Sequence, residues 1–130
     1  MSIVHSNPEL KNLDFNALLR LVDGEEALGR EVMQTMVDEL ADENEELPKI
    51  VARQDWKLLN YLTDRLSGSA AWCGMDKIKY ISNLLSSAAS RQDLTQIHLQ
   101  LGELQHAIAD ALTDAADLKI IPRNAAHIRK

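Results

Sequence analysis

The sequence predicts an all-α fold, an antiparallel bundle of four long helices led by a short one. Three observations carry that prediction. Apolar residues recur at three- and four-residue steps through most of the chain, the period of a helix that buries one face. The 130 residues include only five Gly, three Pro and five aromatics, too few for the turns and strand faces of a sandwich or barrel. Aspartates also stand where periodic segments begin, the position at which a side-chain oxygen caps free backbone N–H groups.

The first helical signal is Asp14 to Val22, with Phe15, Leu18, Leu19 and Val22 on one side. Asp23-Gly24-Glu25-Glu26 ends it and, as an Asp three residues before a Glu, reads as a capping box for the next helix. That helix is long. Its stripe runs through Leu28, Val32, Met33, Met36, Val37, Leu40, Ala41, Leu47, Ile50 and Val51, and its other face carries Asp38, Glu39, Asp42, Glu43, Glu45 and Glu46, expected to be solvated. Pro48 lacks a backbone donor, which predicts a kink or a break there. The Met33 and Met36 pair reads as core filling.

Asp55 caps a third helix from Trp56 to Cys73, with Leu58, Leu59, Leu62, Leu66, Ala70 and Cys73 inward and Gly74 as a left-handed stop. A fourth runs from Met75 to about Ser90 on Ile78, Ile81, Leu85 and Ala88. Asp93 with Gln96 forms a capping box and opens a fifth on Leu94, Ile97, Leu101, Leu104, Ile108, Leu112 and Ala115. The chain divides into an extension over 1–12, one bundle over 13–118 and a basic tail over 119–130.

Charge and composition narrow the function classes. At 45% hydrophobic and 26% charged the chain buries a core and is not a disordered segment. A net charge of −6 disfavours nucleic acid as a partner, because phosphate binding needs clustered Lys and Arg. The tail holds Lys119, Arg123, Arg129 and Lys130 without an acid and reads as a solvated end. One cysteine, Cys73, excludes an internal disulfide and a cysteine-based zinc site. With no secretory signal in Met1 to Leu10 and no long apolar run, the expectation is a cytoplasmic protein, not membrane-bound, and a monomer.

The third helix carries the most informative face. At about 100° per residue, Asn60, Asp64, Ser67 and Ala71 lie opposite its apolar stripe, with Gly68 beside them. Such small residues leave the backbone approachable by a second surface. Gly68 within a helix costs about 1 kcal/mol relative to Ala, so it either relieves crowding inside the bundle or keeps that face open.

The run Leu62-Thr63-Asp64-Arg65-Leu66-Ser67-Gly68-Ser69-Ala70-Ala71-Trp72-Cys73-Gly74 resembles the signature of histidine-containing phosphotransfer (HPt) domains. That signature reads apolar, Ala, His, any residue, Leu, Lys, Gly, Ser, with a further Gly downstream. Leu18 to Leu28 and Met75-Asp76-Lys77-Ile78 are similar to the family's flanking segments, so the resemblance spans roughly residues 13–115. It implies a four-helix bundle that docks a response-regulator receiver or a hybrid sensor kinase.

Two positions depart from the family. Asp64 stands where it has the phospho-accepting His, and Ser67 where it usually has Lys. Relay through such a domain needs a nucleophilic imidazole nitrogen, which a carboxylate does not provide. His98 and His106 fall on the fifth helix and His5 and His127 near the ends, none of them at the acceptor position.

The expectation is therefore a non-catalytic docking module acting as competitor or adaptor, with Asn60, Asp64, Arg65, Ser67, Gly68 and Ala71 on the partner face. It has no cofactor or metal of its own, and Mg²⁺ enters only in complex with a receiver. Two alternatives stand beside it: a helical adaptor or chaperone unrelated to phosphorelays, and a phosphotransfer protein whose His was replaced by design.

Overall fold

A computed structural model describes residues 10–123. They form five helices: α1 (Phe15–Leu21), α2 (Glu26–Ala52), α3 (Trp56–Trp72), α4 (Asp76–Arg91) and α5 (Leu94–Asp117). There is no strand among the described residues. The four long helices close a ring, α2 on α3, α3 on α4, α4 on α5 and α5 on α2, with α1 laid against α2 and α3. Among the described residues no helix is long and apolar enough to cross a membrane.

Three of the five N-termini are capped by an aspartate side chain, at Asp55 and Asp93 as the sequence predicts and at Asp14 in addition. Asp14, Asp55 and Asp93 accept from the N–H groups of Ala17, Leu58 and Gln96 at 3.1, 3.2 and 3.2 Å. Each such cap contributes about 1 kcal/mol. The Asp23–Glu26 capping box does not form. Asp23 and Gly24 take positive φ of 55° and 77° in the turn after α1, so the N-cap falls on Glu25, which makes no side-chain bond.

Pro48 does not break α2. Its missing N–H leaves the Asn44 carbonyl without an i+4 donor, a cost on the order of 3 kcal/mol within a helix. Leu47, Ile50 and Val51 are nevertheless buried on the same stretch, and their burial, about 1.5–3 kcal/mol each, holds the last turn in place.

Two glycines set where α1 sits. A Cβ on Gly29 would lie 2.9 Å from Leu19 Cδ2 and 3.6 Å from the Phe15 ring, so its absence lets α1 rest directly on α2. Gly74 has φ +62° as the expected left-handed stop of α3, and a Cβ there would lie 2.6 Å from the Asp14 Cβ. The α3–α4 turn thus touches the start of α1, where the Asp14 N–H donates to the Cys73 carbonyl at 3.4 Å.

Beyond α5 the chain is not a free end as far as it is described. Residues 118–123 run along α2, held at three successive turns. Arg30 Nη2 donates to the Leu118 carbonyl (2.6 Å), Gln34 Nε2 to the Ile121 carbonyl (2.6 Å), and Asp38 receives the Arg123 backbone N–H (2.8 Å) and Nε (2.9 Å). Ile120 is buried beneath this strap. The solvated tail expected from residue 119 is therefore corrected for 119–123, while Arg129, Lys130, His127 and His5 lie outside the described residues.

Candidate functional site

The outward face of α3 is rotated by about 60° from the one the apolar positions predict. Leu59, Thr63, Leu66, Ser67 and Ala70 are buried, whereas Tyr61, Asp64, Arg65, Gly68, Ala71 and Trp72 are exposed. Ser67 is thus a correction: only 9% exposed, it is not part of an open face. The cause is α4, which packs on α3 more extensively than any other pair of helices packs and covers its small polar side, Thr63 and Ser67. The Thr63 hydroxyl survives burial by donating to the Leu59 carbonyl at 2.8 Å.

Asn60 and Asp64 mark the α4 edge of this face. The Ser86 hydroxyl sits 2.7 Å from Asn60 Oδ1 and 2.9 Å from Asp64 Oδ1, and Asn60 Nδ2 donates to Ser90 Oγ at 2.6 Å. Asp64 is exposed, with one oxygen oriented by Ser86. Nothing lies within 4 Å of a Cβ placed on Gly68. Crowding inside the bundle therefore does not account for this glycine, and the backbone there is open to an approaching surface.

Arg65 turns to the other edge. Its Nη2 donates to Glu43 Oε2 at 2.9 Å, its Nε lies 3.9 Å from Glu39 Oε2, and the guanidinium lies 5.9 Å from the centre of the Tyr61 ring. The acidic face of α2 is accordingly not all solvated, since Glu43 is only 4% exposed. Burial pushes the carboxyls of Glu39 and Glu43 above the usual range, against the pull of Arg65. The hydrogen bond from Arg65 to Glu43 in turn raises the guanidinium pKa.

Two hollows lie along the α2–α3 groove and share Glu39 as a wall. A cleft of about 580 Å³ is lined by acids of α2 together with Arg53 and Arg65. A smaller one of about 260 Å³ lies among Val32, Thr35, Met36, Ser69, Trp72 and Cys73. Burial pushes the Cys73 thiol up to about 11, so it is a packed wall and not a nucleophile at neutral pH.

No protein-family model, characterised protein or solved structure matches the chain.

Of the predicted face, Asn60, Asp64, Gly68 and Ala71 lie together along the α3 surface, Arg65 is drawn toward α2 and Ser67 is buried. The sequence reading missed Tyr61 and Trp72, 60% and 61% exposed. Their signal was present: Tyr61, Arg65, Gly68 and Trp72 follow i, i+4, i+7, i+11 spacing, one line along a helix. Glu39 and Glu43 carried no comparable signal, because their partner is on another helix. His98 and His106 are exposed on α5, with His106 Nε2 3.6 Å from Asp110. Among the described residues no set of three or more His, Cys, Asp or Glu side chains is arranged to hold a metal ion.

Proposed function

We propose that the chain is an HPt-like docking module that binds a response-regulator receiver, or a sensor kinase carrying one, without relaying phosphate. In this reading α2 to α5 are the antiparallel four-helix bundle of that family and α1 its short leading helix. The observation that carries it is the open backbone at Gly68 beside the exposed carboxylate of Asp64. These are the glycine and acceptor positions of the resembling signature, and they share one accessible surface.

The chemistry follows from the substitution. Asp64 offers a carboxylate oxygen held by Ser86 in place of an imidazole nitrogen, so the surface keeps its shape and loses the group that would form a phosphoramidate. Asp64 would face the acidic phosphorylation pocket of a receiver, where like charges repel. A Mg²⁺ ion held by the receiver relieves that repulsion by accepting the Asp64 oxygen that Ser86 does not hold. Docking is then Mg²⁺-dependent, and the module competes with an active phosphotransfer domain or adapts its receiver to another protein.

The test is calorimetric titration of purified receivers into the chain with Mg²⁺ and with a chelator. Affinity that is equal in both conditions removes the bridging ion, and absence of binding to every receiver removes the proposal. An Asp64→His variant adds a second readout: phosphate uptake from a phosphorylated receiver shows that the docking geometry is intact and that the side chain alone blocks relay.

A further inference from the structure

Asn60 and Asp64 on α3 stand one helical turn apart, as do Ser86 and Ser90 on α4, and the four side chains meet across the α3–α4 seam. Around Ser86 there is one acceptor too many. Its hydroxyl lies 2.7 Å from Asn60 Oδ1 and 2.9 Å from Asp64 Oδ1, both hydrogen-bond distances, yet it has a single proton to donate. Whichever oxygen it serves, the other faces a lone pair of Ser86. Asn60 and Ser86 are half-buried, where an acceptor held against an acceptor is costly.

We infer that the Asn60 amide turns over about its Cβ–Cγ bond while Asp64 is ionised, and that the four side chains then form a one-way hydrogen-bond chain positioning the Asp64 carboxylate. Turning over exchanges the amide nitrogen and oxygen without moving any other group. Asn60 Nδ2 then donates to Ser86 Oγ, Ser86 donates its proton to Asp64 Oδ1, and Ser90 donates to Asn60 Oδ1. Every donor meets an acceptor. Charge decides the direction, since a hydrogen bond to an ionised carboxylate is roughly twice as strong as one to a neutral amide oxygen. Asn60 and Ser86 are thus positioning residues. Asp64 is exposed, and an unheld side chain there spreads over roughly three staggered χ1 wells; Ser86 selects one and leaves Oδ2 facing outward. With the Ser86 proton given to Oδ1, Oδ2 presents lone pairs alone and matches a cation or a donor on the partner. The positioning role rests on receiver docking through Asp64, whereas the direction of the chain is a property of the free protein.

The direction is tested by NMR of the free chain. The Asn60 side-chain amide protons should show nuclear Overhauser contacts to the Ser86 β-protons, and in Asp64→Ala, which removes the charged acceptor, contacts to the Ser90 β-protons should appear. Contacts to Ser90 in place of Ser86 in the natural chain, or an unchanged pattern in Asp64→Ala, overturn the inference. The positioning role is read by titrating receiver domains in Mg²⁺. Ser86→Ala should weaken docking roughly three- to tenfold, from the rotamers released and the hydrogen bond lost, with circular dichroism unchanged. Ser86→Thr should restore it, and Ser87→Ala, at the exposed neighbouring serine, should leave it unchanged. A receiver that binds the natural chain and Ser86→Ala equally overturns the positioning role. Absence of docking by the natural chain fails the receiver proposal alone, because the NMR result is obtained without a partner.

Discussion

Replacing Gly68 with alanine should stabilise the protein, and the size of the gain follows from the structure. Gly68 lies inside α3, and a Cβ there meets no atom within 4 Å. The new methyl group neither packs nor clashes, so only the backbone entropy of a helical glycine changes, about 0.8–1.0 kcal/mol in favour of Ala. Unfolding entropy of about 2.1 cal/mol/K per residue, over roughly 114 ordered residues, makes that a rise of about 4 °C in Tm. Urea denaturation should show the midpoint moving up by roughly 0.5–1 M at constant m. Gly102 is the internal control, since it lies inside α5 with nothing within 4 Å of its Cβ position either. Gly102→Ala should gain the same amount, and the double variant about 2 kcal/mol. A loss at Gly68 alongside a gain at Gly102 would refute the reasoning, because it would mean that the space above Gly68 is filled by the bundle itself.

Three further outcomes follow from contacts elsewhere. Gly74→Ala should destabilise by at least about 2 kcal/mol in the same denaturation assay, since its φ of +62° disfavours a side chain and the Cβ would lie 2.9 Å from the Asp14 carbonyl oxygen. Arg65→Met should cost about 1–3 kcal/mol at pH 7 by leaving the buried Glu43 carboxylate unpaired, less than a fully buried pair because Arg65 is half exposed. That loss should shrink at acid pH as Glu43, whose pKa burial raises, takes up a proton. Stability itself should rise as pH falls from 7 toward about 4.5. Glu39 and Glu43 have folded pKa values above their unfolded ones, so the stability they add is present at acid pH and lost as pH rises through those values. Below about pH 4 the trend should reverse, because Asp14 and Asp38 have lowered values and lose their contribution on protonation. Asp14 is held down first by the Ala17 N–H; at Asp38 the hydrogen bonds from Arg123 and Gln34 together outweigh burial. A denaturation series that declines steadily from pH 7 to pH 4 would contradict these assignments.

The helices were legible because their signals are local. Asp55, Asp93 and Gly74 act within one turn, and the apolar stripes of α4 and α5 are buried as their spacing indicates, except that Leu94 in the first turn of α5 is exposed and Leu112 only partly buried. What failed was long-range. A helical wheel counts Thr63 and Ser67 as polar and turns them outward, but small side chains suit a closely packed α3–α4 pair, and their burial rotates the exposed face toward Tyr61 and Trp72. Glu43 looks like one acid among six until Arg65 approaches from α3. Pro48 looks like a breaker until the burial of Leu47, Ile50 and Val51 outweighs one lost hydrogen bond. The strap over 118–123 was hidden because Arg30, Gln34 and Asp38 read as an ordinary solvated face, and the chain that covers it comes from the far end of the sequence.

The central claim is that the surface around Gly68 and Asp64 docks a receiver without accepting phosphate. Its most direct test is titration of a panel of receiver domains, in Mg²⁺, against the natural chain and against Gly68→Arg, whose side chain enters the space left open above α3. The account predicts saturable binding of at least one receiver by the natural chain, no phosphate transfer to it, and at least a tenfold loss of affinity in Gly68→Arg with the fold intact. Binding by neither protein, or equal binding by both, would contradict it.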